Sequence, residues 1–119
     1  MTPDVQLVEE LVKRLPAFKD IYESHVFNED GVLPHVFFWD VTQETVASFL
    51  GDEDAPDWRA TVAFLDEQFG TAEPQAQEVV VTSFLDYLPF PGQPGSDLTR
   101  YLGPQLASKL AELRPSLTF

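Results

Sequence analysis

Apolar residues at the start of the chain recur every three or four positions, which is the spacing of an α-helix. The first helix is predicted to follow Thr2 as its N-cap, with Pro3 in the first helical position. Its apolar positions are Val5, Leu7, Val8, Leu11, Val12 and Leu15. Pro16 ends this helix, because a ring without an N–H cannot continue the hydrogen-bond ladder.

The second segment, PAFKDIYESHVF, follows the same spacing and opens at Pro16. We expect an inward stripe of Phe18, Ile21, Tyr22 and Val26, with His25 on the polar, solvated side. The polar run NEDG at residues 28–31 has turn chemistry and closes the segment.

The next segment, residues 32–51, contains β-branched and aromatic residues that would also suit a strand. A helix over residues 34–50 is favoured, since QETVASFL has helical spacing and Gly51 stands where the residue after a helix C-cap belongs. No second strand pattern is available to pair with a strand here.

Four further helices, one of them short, are predicted in the second half. One begins at Pro56 and Asp57, carries Trp58, Val62, Leu65 and Phe69 on one face, and ends at Gly70. The next runs from Pro74 through PQAQEVVVTSFLDYL to residue 88, and its broad apolar face predicts a central position. The last is PQLASKLAELR, with Leu106, Leu110 and Leu113 inward. Before it lies a short helix, DLTRYL, capped by Ser96 and Asp97.

These elements predict an all-α fold. A chain of 119 residues supports one core, so residues 1–119 are expected to form a single domain, a compact bundle of five to seven short helices. Stacked helical hairpins remain a possible arrangement. Residues 89–96, PFPGQPGS, are predicted to be an irregular loop.

The absence of cysteine excludes disulfide frameworks, thiolate metal sites and cysteine nucleophiles. The start of the chain lacks the basic end and apolar run of a secretory signal, and no stretch approaches the length of a membrane span. We therefore expect a cytoplasmic protein.

The charge balance narrows the classes of partner. Twenty acidic residues face seven basic ones, for a formal net charge of −13, which repels nucleic acid and anionic lipid. No Lys or Arg occurs in residues 20–58 or 60–99. Either this acidity serves solubility alone, or it forms a surface for a basic protein partner.

Motifs for enzyme chemistry are absent. The two histidines, His25 and His35, fit no zinc or di-iron spacing, and DEDAPD lacks the glycine and closing glutamate of a calcium loop. The chain has no GxSxG or SxxK motif and no phosphate-binding loop. We assign no catalytic, cofactor or metal-binding residue, and expect His35 to be a hydrogen-bonded residue near the surface.

Two acidic loops flank the helix predicted at residues 34–50. Loop acids are common and helix starts favour them, which accounts for Asp57 and Asp54 without a partner. The alternative is one partner-binding surface, which requires the intervening segment to be a helical hairpin instead of a single pass. The candidate partner-binding residues are Glu29, Asp30, Glu44, Asp52, Glu53, Asp54 and Asp57.

Several phrases spread along the chain carry a family resemblance. They are LVEELVKRLPAFKDIYESH, LPHVFFWDVTQ, SFLDYL and YLGPQLASKL. With these the chain resembles a family of small, uncharacterised bacterial helical proteins, members of which are often encoded beside secreted toxins and look like immunity proteins. The resemblance carries over no site residues.

The resemblance and the charge together favour a non-enzymatic, acidic protein-binding domain. We expect an immunity protein that neutralises a basic, nuclease-like bacterial toxin by occluding its active site. A helical adaptor or regulatory module with another protein partner is the alternative, followed by an enzyme on a helical scaffold.

Overall fold

Prolines start four of the six α-helices in residues 1–115, the part of the chain that the computed structural model describes. Proline suits this position because its fixed φ is helical and its missing N–H would have no helical partner there. The α-helices are α1 (Pro3–Arg14), α2 (Lys19–Glu29), α3 (Pro34–Phe49), α4 (Trp58–Thr71), α5 (Pro74–Ser83) and α6 (Pro104–Leu113). Three 3₁₀ helices, Pro16–Phe18, Leu85–Tyr87 and Ser96–Tyr101, complete the elements.

The all-α prediction is confirmed, since the described residues contain no strand. The radius of gyration is 13.6 Å, close to the roughly 13.5 Å expected for one compact domain of this length. The predicted domain extends to residue 119, and residues 116–119 lie outside the described part. None of the helices in residues 1–115 combines the length and apolar character needed to cross a membrane.

Helix α5 occupies the centre of the bundle, as its broad apolar face predicts. It packs against α1, α3 and α4, and α6 covers the far side of α4. Phenylalanines fill much of the core, and Phe18, Phe37, Phe38 and Phe84 are fully buried. The core is therefore built mainly by apolar packing between helices.

Helix α3 is continuous, so the segment that could have been a strand is helical throughout. It ends in a Schellman motif around Gly51, whose φ is +109°. Gly51 N–H donates to the Ser48 carbonyl and Asp52 N–H donates to the Ala47 carbonyl, each at 3.0 Å. Glycine adopts this backbone without strain, which explains the sharp exit into the acidic loop.

Helix α5 is shorter than predicted: it ends at Ser83, not at residue 88. Phe84 leaves the helical conformation at φ −119° and ψ −65°, and a 3₁₀ turn follows. Arg114, which follows α6, stabilises this turn. The Arg114 guanidinium donates to the Leu85, Asp86 and Leu88 carbonyls at 3.3, 3.2 and 2.8 Å. Arg114 therefore supplies these backbone carbonyls with the donors that a continued helix would have provided.

Helix α4 continues past Gly70, which was predicted to end it, and ends at Thr71. Gly70 has no left-handed φ. A Cβ at this position would lie 3.3 Å from the Gln105 side chain, so glycine here allows α6 to approach α4 closely. The glycine therefore reflects packing between helices, not helix termination.

Two predicted side-chain caps are not formed. Thr2 occupies the N-cap position of α1 with extended backbone, but its side chain makes no capping hydrogen bond. Residues 96–101 form a 3₁₀ helix without a side-chain cap, preceded by Gly95 at φ +87°. Gly95 lies close to Val46 and Pro89, so the loop at residues 89–95 packs onto α3.

Candidate partner-binding surface

Most of the acidic surface is not neutralised by the chain itself. Only four of the twenty acidic residues form an ion pair in residues 1–115, of which Arg14–Glu67 is the shortest at 3.1 Å. Arg114 is buried, and the Arg59 guanidinium lies over the Trp58 ring, 4.4 Å from its centroid. The negative charge therefore faces solvent largely uncompensated.

The acidic loop at residues 52–57 connects α3 to α4, and two of its acids have local structural roles. Asp52 Oδ1 accepts a hydrogen bond from Asp54 N–H at 3.0 Å and closes a tight turn. Asp57 Oδ1 accepts from Arg59 N–H at 3.1 Å and caps α4. The exposed Glu53 and Asp54 carboxylates have no bonding partner in the described residues.

An aromatic cluster lies beside this loop. The Trp58 ring packs against Phe49 and Tyr101 at centroid distances of 5.0 and 5.3 Å. Trp58 is buried, whereas Tyr101 is 59% exposed. Trp58 and Tyr101 line a shallow cavity of about 430 Å³. This end of the bundle combines free carboxylates with an exposed aromatic ring, a residue type frequent at interface centres.

The predicted acids do not form one face. Glu29 ends α2 and Asp30 follows it in the left-handed conformation, both just before α3 begins. The acidic loop follows the other end of α3, which has 16 residues and is therefore about 24 Å long. Glu44 lies between the two ends, on α3 itself. The helical hairpin that would bring the two groups together is absent.

A second acidic group gathers around Glu29. Asp20, Glu29 and Asp40 line a groove of about 320 Å³ between α2 and α3. Partial burial raises the pKa of Asp40, the nearby His25 opposes this rise, and the charge of Glu29 adds to it. Asp20 and Asp40 were not among the predicted residues. The spacing of Asp40 four positions after the exposed Val36 places both on one side of α3 and could have indicated this group.

His25 is buried, which contradicts the prediction of a solvated side chain. It is 3% exposed, and its Nε2 accepts a hydrogen bond from Leu33 N–H at 2.9 Å. His25 follows Phe18 by seven positions and Ile21 by four, so the inward stripe of α2 passes through His25 instead of Val26. The hydrogen bond from Leu33 stabilises the turn between α2 and α3. The imidazole also packs against Phe37 at a centroid distance of 5.7 Å.

His35 is a hydrogen-bonded residue near the surface, as predicted. Its Nδ1 lies 2.8 Å from Ser83 Oγ and 3.1 Å from Thr82 Oγ1. Ser83 is only 4% exposed, and the contact with His35 gives its buried hydroxyl a hydrogen-bond partner. The pair links the start of α3 to the end of α5. Among the described residues, no three or more His, Asp or Glu side chains are arranged so that they could hold a metal ion.

Comparison with known proteins assigns neither a family nor a function to the chain. No protein-family model matches the chain, and searches of curated proteins and of solved structures found no significant similarity. The functional interpretation therefore rests on the geometry and charge of this surface.

Proposed function

We propose that this chain is a non-catalytic binding protein whose partner is a basic protein. The supporting observation is the uncompensated acidic surface: few of its acids are paired, and α3 and α5 contain no Lys or Arg. Complementary charge accelerates encounter by orders of magnitude and suppresses acidic competitors. A rigid helical core keeps such a surface ready for binding without reorganisation.

The partner that fits best is a bacterial toxin with a cationic active site, such as a nuclease. This choice rests first on the charge of the surface, and the sequence resemblance to immunity-like proteins suggests a toxin as the kind of basic partner. Inhibition would follow from occlusion, since an acidic protein bound over a cationic site blocks its anionic substrate and needs no chemistry of its own.

Glu53 and Asp54 are the residues of the acidic loop expected to act on the partner, because Asp52 and Asp57 also hold the local backbone. Both residues lie near the exposed Tyr101 ring, which the partner can contact after electrostatic attraction has brought it to this surface.

Affinity capture tests this function. The chain is immobilised at low salt, exposed to lysate and secreted proteins of the source organism, and the bound proteins are identified by mass spectrometry. We expect one basic protein that salt releases and whose toxic activity the chain inhibits. Capture of an acidic or neutral partner that salt does not release would contradict the proposal.

A matched pair of variants sharpens the result. Glu53→Lys/Asp54→Lys changes the net charge by the same amount as Glu9→Lys/Glu73→Lys, and all four carboxylates are exposed. The loop variant should lose most of the captured partner, while the control variant should retain more of it. Equal losses would show that net charge alone governs capture and that the acidic loop has no special role.

A helical adaptor with another kind of protein partner is the second candidate. It is favoured by exposed aromatic rings such as Trp39, 46% exposed, and Tyr87, 55% exposed, which suit interfaces irrespective of charge. The charge of the captured protein distinguishes the two functions.

A further inference from the structure

Two grooves of different character meet at Val36 on the outer side of α3. On one side, Trp39 and Tyr87 line a mainly apolar groove of about 480 Å³, together with the polar side chains of His35, Thr82 and Ser83. On the other side lies the acidic groove of Asp20, Glu29 and Asp40. Val36 is 41% exposed and lines both grooves, so it forms the ridge between them.

Hydrogen bonds between α3 and α5 hold the two sides of the apolar groove together. His35 is held by Ser83 and Thr82 on α5, which joins the α3 wall to the segment that carries Tyr87. Trp39 and Tyr87 are about half exposed, although large rings are usually more buried in a monomer. Tryptophan and tyrosine are also the residues that most often contribute large binding energies at interfaces.

In the described part of the chain, no Lys or Arg side chain lines the acidic groove. Asp20, Glu29 and Asp40 form no ion pair in residues 1–115. Asp40 is partly withdrawn from water beside the charge of Glu29, and His25, the one titratable base lining this groove, is already engaged by Leu33 N–H. The positive charge of a Lys or Arg side chain entering from a partner would offset both the cost of burying Asp40 and its repulsion by Glu29.

The occupant must satisfy both grooves at once. A second copy of this chain is opposed by the net charge of −13 on each copy. Nucleic acid and anionic membranes are repelled for the same reason. A cationic protein segment with an apolar side chain fits the charge of one groove and the lining of the other.

We propose that the surface centred on Val36 binds a cationic segment of the basic partner, with an apolar side chain between Trp39 and Tyr87 and a Lys or Arg beside Glu29 and Asp40. This inference rests on the proposed function and adds a second contact region, separated from the acidic loop by the length of α3. The acidic loop would speed encounter, and the Val36 surface would slow dissociation.

Synthetic peptides test this surface without knowledge of the partner. The probes are short peptides of equal positive charge, which contain either Leu or Trp beside the Lys and Arg residues or Ser in the same places. Binding is measured at low salt by fluorescence anisotropy and mapped by amide NMR shifts. We expect the apolar cationic peptides to bind about tenfold more tightly than the Ser peptides.

Variants locate the binding. Trp39→Ala, Tyr87→Ala and Asp40→Asn should each weaken binding of the apolar cationic peptides, Trp39→Ala by about tenfold. Phe27→Ala and Glu9→Gln are the controls: they remove an exposed ring and one negative charge outside both the Val36 surface and the acidic loop, and should alter binding less than about twofold. Circular dichroism verifies that each variant is folded.

Two results would overturn the proposal in different ways. If the Leu, Trp and Ser peptides bind equally and Trp39→Ala has no effect, the Val36 surface is wrong while electrostatic partner binding stands. If no cationic peptide binds at low salt, the proposed function fails together with this surface.

Discussion

The guanidinium of Arg114 donates hydrogen bonds to four backbone carbonyls, those of Leu85, Asp86, Leu88 and Pro89, at 2.8–3.4 Å. It also lies 3.8 Å from the centroid of the Phe90 ring. One side chain just after α6 thus stabilises the whole irregular exit from α5. Burial lowers the pKa of Arg114, but the pKa of an arginine stays far above neutral pH, so the guanidinium remains charged.

Arg114→Met keeps much of the apolar stem and removes every donor. We expect the free energy of unfolding to fall by about 2–4 kcal/mol, because carbonyls buried in the core lose a charged donor. Urea denaturation measures this change. Arg100→Met removes an exposed arginine and should change stability by less than about 0.5 kcal/mol. Equal effects for the two variants would contradict the role given to Arg114.

Asp40 gives a pH-dependent prediction at the same scale. Its pKa is raised above the ordinary value of 3.8, so the folded protein binds this proton more tightly than the unfolded chain does. The charged carboxylate therefore lowers the free energy of unfolding at neutral pH. This penalty arises as the pH rises from the ordinary value through the raised pKa, and it is absent below that window.

We expect Asp40→Asn to be more stable than the parent chain at pH 7, by less than about 1 kcal/mol, and to match it below the ordinary pKa. Thermal unfolding across this pH range measures the difference. Asp54→Asn removes the same charge from an exposed position. A gain as large in Asp54→Asn would assign the effect to net charge instead of the acidic groove.

Helices α4 and α6 are coupled by a cap that one supplies to the other. Gly103 is the N-cap of α6 and has no side chain to accept a hydrogen bond. Asp66 of α4 replaces it, since its Oδ1 accepts from Leu106 N–H at 2.9 Å. A Cβ on Gly103 would overlap the Asp66 carboxylate, so the glycine makes room for the cap from its neighbour.

Asp66→Ala should therefore destabilise the fold by about 1 kcal/mol, the usual loss for an N-cap. Gly103→Ala should have a similar effect by displacing the same carboxylate. Glu67→Ala, which removes only an exposed ion pair with Arg14, should cost less than about 0.5 kcal/mol. Chemical denaturation of the three variants measures these differences, and a neutral Asp66→Ala would refute the cap.

Helix positions were predictable where their causes are local. Prolines at the first helical position and the 3.6-residue period predict α1, α3 and α6 almost to their ends, and Gly51 marks the end of α3. The end of α5 was not predictable from local sequence, because the turn that follows it is held by Arg114, about 30 residues away. His25 was misplaced because a polar residue on an apolar stripe becomes recognisable only once its partner, Leu33 N–H, is located.

The candidate surface was predictable in its charge but not in its arrangement. Composition identifies the acids and the predicted α3 separates the two loops, whereas the grouping of Asp20, Glu29 and Asp40 depends on how α2 packs against α3. The Val36 surface arises from α2, α3 and the Leu85–Tyr87 turn together, so no single stretch of sequence indicates it.

At the scale of the whole molecule, the net charge has a cost for stability and, under the proposed function, a role in selecting the partner. A net charge of −13 lowers stability through self-repulsion, and the apolar core of α5 and its neighbours offsets this. Under the proposed function, the same field would direct a basic protein towards the acidic loop and the Val36 surface.

The most direct test is the association rate constant with the captured basic protein, measured by stopped flow over a range of salt concentrations. We expect a steep fall with salt for the parent chain and for Glu9→Lys/Glu73→Lys. Glu53→Lys/Asp54→Lys should associate at least about tenfold more slowly at low salt, with a shallower salt dependence. An association rate that is independent of salt and unchanged in the loop variant would contradict the central claim.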